Sequence, residues 1–268
     1  MGFDAFRNAE KEGWHARAGG YDATTGQVTT RAIATLLAMA EAAPGKRLLD
    51  LCCGTGRGAG AAAALGAQAE GIDVAPGMVA AARVAFPGVP FDEGDAEAIP
   101  REDGIFDAVI CSFGVLHVGN PGAMFADIAR VLKPGGRVAL SHWVGPPESD
   151  FFRVVFGAIG AHADMSAVPP SPPPFALSTE VAMTEALEAV GFGDVRAERL
   201  PLEFRAPEGR FAKHFRVFSA RSAVILDVQD KGVMTHLETA WEEGLAPFLR
   251  DGEYRVPMPA MAVTAVRS

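Results

Sequence analysis

The stretch that most restricts the fold of this chain is residues 48–60, LLDLCCGTGRGAG. A short apolar run leads into a loop with four glycines, and a run of small residues follows it. A brief apolar run stopped by glycines is typical of a buried parallel strand, and the small residues that follow indicate a helix. The stretch therefore predicts a strand, a glycine-rich turn and a helix in direct succession.

Strand and helix patterns continue to alternate beyond this stretch. Seven strands are predicted, over 46–52, 67–74, 89–92, 106–113, 136–143, 194–204 and 258–268. Helices are predicted over 57–65, 76–86, 121–133 and 179–192, and in two pieces over 208–250. Because strands joined by helices pair in parallel through right-handed crossovers, we expect an α/β fold. It is a Rossmann-like, doubly wound, mostly parallel seven-stranded sheet with helices on both faces.

Composition excludes several classes of partner. The chain has 24 Lys plus Arg against 33 Asp plus Glu, a net charge of −9, and it lacks the basic cluster that nucleic-acid binding requires. Its three cysteines match neither a disulfide framework nor metal-ligand spacing, and we expect no metal. An apolar leader and an apolar run of membrane-spanning length are both lacking, so we expect a cytoplasmic protein without a membrane partner.

Acidic residues lie at the ends of the first three predicted strands, where ligands of open α/β sheets bind. The segment GTGRGA also satisfies the dinucleotide pattern G-x-G-x-x-[GA], with Asp73 17 positions beyond Gly56, so an NAD-type oxidoreductase is an alternative. A carboxylate at Asp50 would repel a pyrophosphate but attract the ammonium group of an amino-acid ligand. This charge favours S-adenosylmethionine over NAD.

Residues 46–143 resemble the class I S-adenosylmethionine-dependent methyltransferases, and within them the ubiquinone/menaquinone C-methyltransferase-like small-molecule branch. The first motif of that family is E/D-x-G-x-G-x-G, and here it reads Asp50, Leu51, Cys52, Cys53, Gly54, Thr55, Gly56. Cys52 therefore replaces the first glycine of the motif. The glycines that make the tight turn, Gly54 and Gly56, are present.

The resemblance implies roles for residues after the second and third strands. Asp73 is expected to accept hydrogen bonds from both ribose hydroxyls, since a carboxylate has only acceptor oxygens. Asp95 and Ala96 are expected to bind the adenine amino group, with Val74 and Met78 flanking the ring.

The remaining cofactor contacts are expected from the fourth strand and the N-terminal segment. The backbone of Ser112 is expected to face the methionyl group. Trp14 or Tyr21 either closes the site with an aromatic face toward the sulfonium or packs an N-terminal helix. The complete expected cofactor-binding set is Trp14, Tyr21, Asp50, Cys52, Gly54, Thr55, Gly56, Asp73, Val74, Met78, Asp95, Ala96, Ser112 and Phe113.

We expect a single methyltransferase domain over 1–268. Its parts are an N-terminal helical segment 1–45, a cofactor-binding core 46–145, helical substrate-capping insertions 146–177 and 208–256, and C-terminal sheet elements 178–207 and 257–268. Prolines in VPPSPPPFAL, within the first insertion, preclude a helix there and leave two alternatives, a surface linker or a lid.

The predicted reaction is methylation of a small, largely apolar organic molecule at oxygen, nitrogen or carbon. Positioning brings about the transfer, with His117 and His142 as candidate general bases and His15 as a weaker third. The remaining histidines, His162, His214 and His236, are predicted to be surface or packing residues. Seven phenylalanines form either plain core or an apolar acceptor pocket: Phe151, Phe152, Phe156, Phe175, Phe211, Phe215 and Phe218. A fold that binds the cofactor without methyl transfer, or that catalyses another reaction such as cyclisation, stays an alternative, and the oligomeric state stays open.

Overall fold

A seven-stranded sheet forms the centre of the protein in a computed structural model that describes residues 3–268. Its strands are β1 (Arg47–Leu51), β2 (Gln68–Asp73), β3 (Phe91–Glu93), β4 (Phe106–Ser112), β5 (Leu132–Trp143), β6 (Phe192–Leu200) and β10 (Ala260–Arg267). They lie in the order β3-β2-β1-β4-β5-β10-β6. Strands β1 to β5 pair in parallel, and β10 runs antiparallel to both β5 and β6. The predicted seven-stranded, mostly parallel sheet is confirmed.

Helices cover both faces of this sheet. They are α1 (Asp4–Arg17), α2 (Gly26–Thr29), α3 (Ile33–Met39), α4 (Arg57–Ala64), α5 (Pro76–Ala85), α6 (Pro121–Val131), α7 (Asp150–His162), α8 (Glu180–Glu188), α9 (Phe211–Phe218), α10 (Ala220–Asp227) and α11 (Lys231–Leu245). Alternate residues of β1 point to opposite faces, as the pleat of a strand requires. Leu48 packs into the hydrophobic cluster that contains α3 and α4, whereas Leu49 and Leu51 pack into the cluster that contains α6 and α8.

The C-terminal half contains elements that differ from the sequence prediction. The strand predicted over 194–204 is two strands, β6 and β7 (Glu203–Pro207), and β7 pairs in a second sheet with β9 (Glu253–Pro257), which also pairs with β8 (Leu249–Arg250). The prediction of two helical pieces over 208–250 is wrong, because three helices lie there. The extra break is at Ser219, whose hydroxyl accepts the Ser222 N–H in a reciprocal capping box that begins α10.

Gly56 is the residue whose backbone sets the turn between β1 and α4. Its φ is +80°, in the left-handed region, and a Cβ there would lie 2.6 Å from Cζ of Phe91 and 2.9 Å from Cβ of Ala82. We expect Gly56→Ala to lower the free energy of unfolding by about 2 to 3 kcal/mol, from the left-handed penalty and from overpacking.

Gly135 provides the matched control for that substitution. Its φ is +75°, and no atom lies within 4 Å of a Cβ built on it. Gly135→Ala should therefore cost about 1 kcal/mol, the backbone penalty alone. Urea unfolding of both variants checks the difference, and equal losses would contradict the steric role of Phe91 and Ala82.

Two kinds of feature are missing from residues 3–268. None of the helices described is both long and apolar enough to cross a membrane. The same residues bring together no group of three or more His, Cys, Asp or Glu side chains that could hold a metal ion.

Candidate active site

A cavity lies at the carboxyl ends of the central strands, with α1, α7, α9 and α10 contributing its outer wall. This is the edge at which open α/β sheets bind ligands. The predicted site residues that line it are Trp14, Tyr21, Cys52, Gly54, Asp73, Val74, Met78, Asp95, Ala96, Ser112, Phe113 and His117. The predicted residues that do not line it are Asp50, Thr55, Gly56 and His142.

Asp73 is held rigidly at the end of β2. Its Oδ2 accepts the N–H of Gly54 and its Oδ1 accepts the N–H of Ala75, each at 2.9 Å. Burial raises the pKa of this carboxyl, and the backbone N–H groups counteract that rise. Each carboxylate oxygen has a second lone pair, so the group can accept two further hydrogen bonds from a ligand.

Asp50 faces the helix that follows the glycine loop. Its buried carboxylate accepts the N–H of Ala59 at 2.8 Å, and a Cβ at Gly58 would lie 2.5 Å from its Oδ2. The side chain thereby satisfies one of the unpaired N–H groups in the first turn of α4. The predicted contact with a ligand ammonium stays a prediction.

Cys52 occupies a backbone conformation that favours glycine. Its φ is +57°, and Phe113 at the end of the neighbouring strand has φ +58°. The ring of Phe113 stacks on Trp143 with the ring centroids 3.9 Å apart. Strained residues of this kind concentrate at functional sites, and both of these line the cavity.

Asp95 lines the cavity from the loop that follows β3. Its carboxylate forms an ion pair with Arg7 of α1 and accepts the N–H of Glu97 at 2.9 Å. Helix α1 is thus bound electrostatically to the loop that includes the buried Ala96.

Glu10 is a site residue that the sequence analysis missed. It is 4% exposed, and its Oε2 lies 3.0 Å from Nε1 of Trp14 and 2.7 Å from Nδ1 of His117. The Trp14 ring lies edge-on to His117, with ring centroids 5.1 Å apart, and to Tyr21 at 5.9 Å. Glu10 and His117 are 107 positions apart, so no local pattern reveals their contact.

The structure separates His142 from this group. His142 is buried, with its Nδ1 2.8 Å from the carbonyl oxygen of Trp143, and it borders a second cavity that Pro173 and Leu177 also line. Burial lowers the pKa of His142 to about 4. Of the two candidate bases, only His117 lines the same cavity as Asp73.

Aromatic side chains make the outer wall of the cavity. Five of the seven predicted phenylalanines line it, namely Phe152, Phe156, Phe175, Phe215 and Phe218. Phe151 and Phe211 instead lie in the buried aromatic cluster behind them. Because Pro174 and Phe175 also line the cavity, the proline-rich segment lies against the site.

Comparison with known proteins places these features in context. Residues 49–140 match the model of a family described as a methyltransferase domain. A demethylmenaquinone methyltransferase of Mycolicibacterium gilvum is 34% identical over 169 residues, which cover 59% of this chain and 72% of that protein. The chain spans about half the length of other curated relatives. One is a demethylmenaquinone methyltransferase of Renibacterium salmoninarum, 34% identical over 134 residues that cover 48% of this chain and 56% of that protein.

A solved structure supports the fold over most of the chain. The YcgJ protein of Bacillus subtilis has a TM-score of 0.61 at 21% identity, with 88% of this chain and 98% of that chain covered. That likeness extends into the segments beyond residue 140, where the methyltransferase family model ends.

Proposed function

The chain belongs to the class I S-adenosylmethionine-dependent methyltransferases, in their ubiquinone/menaquinone C-methyltransferase-like branch, and from this membership we propose that it methylates a small, largely apolar organic molecule. The observation that carries the proposal is that one cavity is lined both by Asp73 and Asp95 and by an aromatic wall. S-adenosylmethionine is the cofactor of this family, which argues against the NAD alternative.

The residues of the cavity fit that cofactor. Asp73 would accept the ribose hydroxyls with its free lone pairs, and Asp95 with Ala96 would hold the adenine. The backbone of Gly54 and the aromatic rings of Trp14 and Tyr21 would enclose the methionyl end. Burial raises the pKa of Tyr21 to about 12, so its hydroxyl stays neutral near Asp73.

The bound cofactor supplies an electrophilic methyl group, and the protein's own residues orient the acceptor and remove its proton. Glu10 at 2.7 Å orients the His117 ring and favours a proton on Nδ1. Nε2 is then the nitrogen available to take a proton from an acceptor hydroxyl or enol-like carbon. Glu10 would stabilise the imidazolium that results.

The wall of the cavity supports an aromatic or otherwise apolar acceptor. Phe152, Phe175 and Phe218 present ring surface to the cavity, and Phe113 stacked on Trp143 continues it. Sites of this kind orient apolar molecules through a small number of polar groups. The curated relatives are named as methyltransferases of demethylmenaquinone, a quinone, which supports an acceptor with an unsaturated ring.

Incubation of the protein with methyl-labelled S-adenosylmethionine and a metabolite extract of the source cell tests the proposal. Mass spectrometry should reveal a small, apolar compound that gains one labelled methyl group, and the His117→Asn variant should form it far more slowly. Cofactor binding without any labelled product would favour the alternative of a non-transferring or differently reacting protein.

Asp73→Asn tests the cofactor site separately from the chemistry. Asparagine retains an acceptor oxygen for only one of the Gly54 and Ala75 N–H groups, and it loses the charge and the second acceptor. We expect calorimetry to show S-adenosylmethionine binding weaker by about 1 to 3 kcal/mol. Asp103→Asn, at an exposed carboxylate paired with Arg130, should bind normally. Unchanged affinity in Asp73→Asn would refute the ribose contact.

A further inference from the structure

Arg221, at the start of α10, brings a cation into the aromatic wall of the cavity. It lines the cavity together with Phe215 and Phe218 of α9, and its guanidinium lies over the ring of Phe6, with Cζ 5.6 Å from the ring centroid. No motif in the sequence analysis includes this residue. Nothing in the proposed methyl transfer uses it.

Within residues 3–268, the Arg221 side chain has no counter-ion in contact. Its Nε is buried and makes no hydrogen bond to any of these residues. Arg7 and Arg216 differ, since Arg7 pairs with Asp95 and Glu97, and Arg216 pairs with Asp227 at 2.7 Å. The Nε of Arg17 is also buried without a hydrogen bond, but its Nη1 donates to the carbonyl oxygen of Gly13 at 2.9 Å, and Arg17 does not line the cavity. Glu10 attracts Arg221 from a distance, but its Oε2 is already in contact with Trp14 and His117.

The hydroxyl groups at the start of α10 make no hydrogen bond to the Arg221 guanidinium. Ser219 and Ser222 also line the cavity, but their hydroxyls bond to each other and to each other's backbone in the capping box. Burial lowers the pKa of Arg221, which means that the protein surroundings disfavour its charge. A desolvated cation without a paired anion is costly, and a ligand that brings the anion removes that cost.

We propose that Arg221 binds an anionic group, a carboxylate or its equivalent, of the methyl acceptor, so that the acceptor is an aromatic or apolar acid. This inference rests on the proposed function. The guanidinium supplies a two-pronged donor that matches a carboxylate, while Phe215 and Phe218 contact the apolar body. The cofactor also has a carboxylate, but its methionyl end is expected at the strand ends and beside Trp14 and Tyr21, whereas Arg221 comes from the capping segment beside the aromatic wall.

A pair of probes of equal shape tests the charge requirement. We would measure by calorimetry the binding of 2-naphthoate and of 2-naphthamide, with and without S-adenosylhomocysteine. The wild-type protein should bind the naphthoate at least about tenfold more tightly than the amide, the scale of one charge-assisted hydrogen-bonded pair. Arg221→Gln should abolish that preference, and Arg221→Lys should retain part of it.

Matched measurements distinguish an anion of the acceptor from the carboxylate of the cofactor as the partner of Arg221. Arg216→Gln removes the same charge from an exposed ion pair outside the cavity, and it should keep the preference for naphthoate. Equal binding of the two probes, or binding of neither, would overturn the inference. So would a variant Arg221→Gln that loses affinity for S-adenosylhomocysteine while it still prefers naphthoate, because the guanidinium would then bind the cofactor. Failure of the wild-type protein to bind S-adenosylhomocysteine would instead refute the proposed function.

Discussion

His117→Asn should lower the rate of methyl transfer by about 10²- to 10⁴-fold, the usual contribution of a positioned general base. Asparagine can still contact Glu10, but it cannot take up a proton at the place of Nε2. Because His117 is not among the residues expected to hold the cofactor, the affinity for S-adenosylmethionine should stay unchanged. The rate is measured as formation of the labelled product, and cofactor affinity by calorimetry.

Two further variants test whether the loss of rate is specific to the Glu10–His117 pair. Glu10→Gln retains an acceptor oxygen for Trp14 and His117 but removes the charge that stabilises the imidazolium, so a smaller loss of rate is expected. His236→Asn, at an exposed position on α11, should be as active as the wild-type protein. Full activity of His117→Asn would exclude His117 from the mechanism.

The core of the fold could be predicted because its signals are local. The central strands β1 and β4 contain short apolar runs, and helices α5 and α6 begin at Pro76 and Pro121 as predicted. Parallel strands place their carboxyl ends at one edge, so Gly54, Asp73 and Ser112 could be assigned to one cavity from sequence alone.

The other half of the site depends on contacts between distant segments, which no periodicity reveals. Glu10 meets His117 only after α1 packs over the sheet edge, and Arg221 enters the cavity only because α10 begins at the capping box of Ser219. The orientation of Asp50 has the same origin. Its place near the end of β1 was evident. Whether its side chain faces the cavity or α4 depends on how closely α4 approaches, and Gly58 permits that approach.

Asp50 leads to the second large expected effect, a pH dependence of stability. Burial, together with the nearby charge of Asp73, raises the pKa of Asp50 to about 7 from its ordinary value of 3.8, although the Ala59 N–H acts in the opposite direction. The folded protein therefore holds a proton on Asp50 at pH values where the unfolded chain has lost it. The part of the free energy of unfolding that depends on Asp50 is therefore highest below about pH 4, and it falls as the pH rises to about 7. The loss is roughly 1.4 kcal/mol for each pH unit, or about 4 kcal/mol in all.

Asp50→Asn isolates this effect from the titration of other groups. The asparagine oxygen can still accept the Ala59 N–H, but the side chain does not ionise. The free energy of unfolding of the wild-type protein minus that of the variant should therefore fall as the pH rises from 5 to about 7 and stay constant above it. Urea unfolding at half-unit pH steps measures the difference, with Asp103→Asn as an exposed control that should show no such trend. A difference that does not change with pH would mean that Asp50 is ionised throughout, as expected if its carboxylate were solvated or paired with a cation. The helix-facing orientation in the structure requires the opposite, because a carboxylate enclosed between β1 and α4 is neutralised more easily than it is solvated.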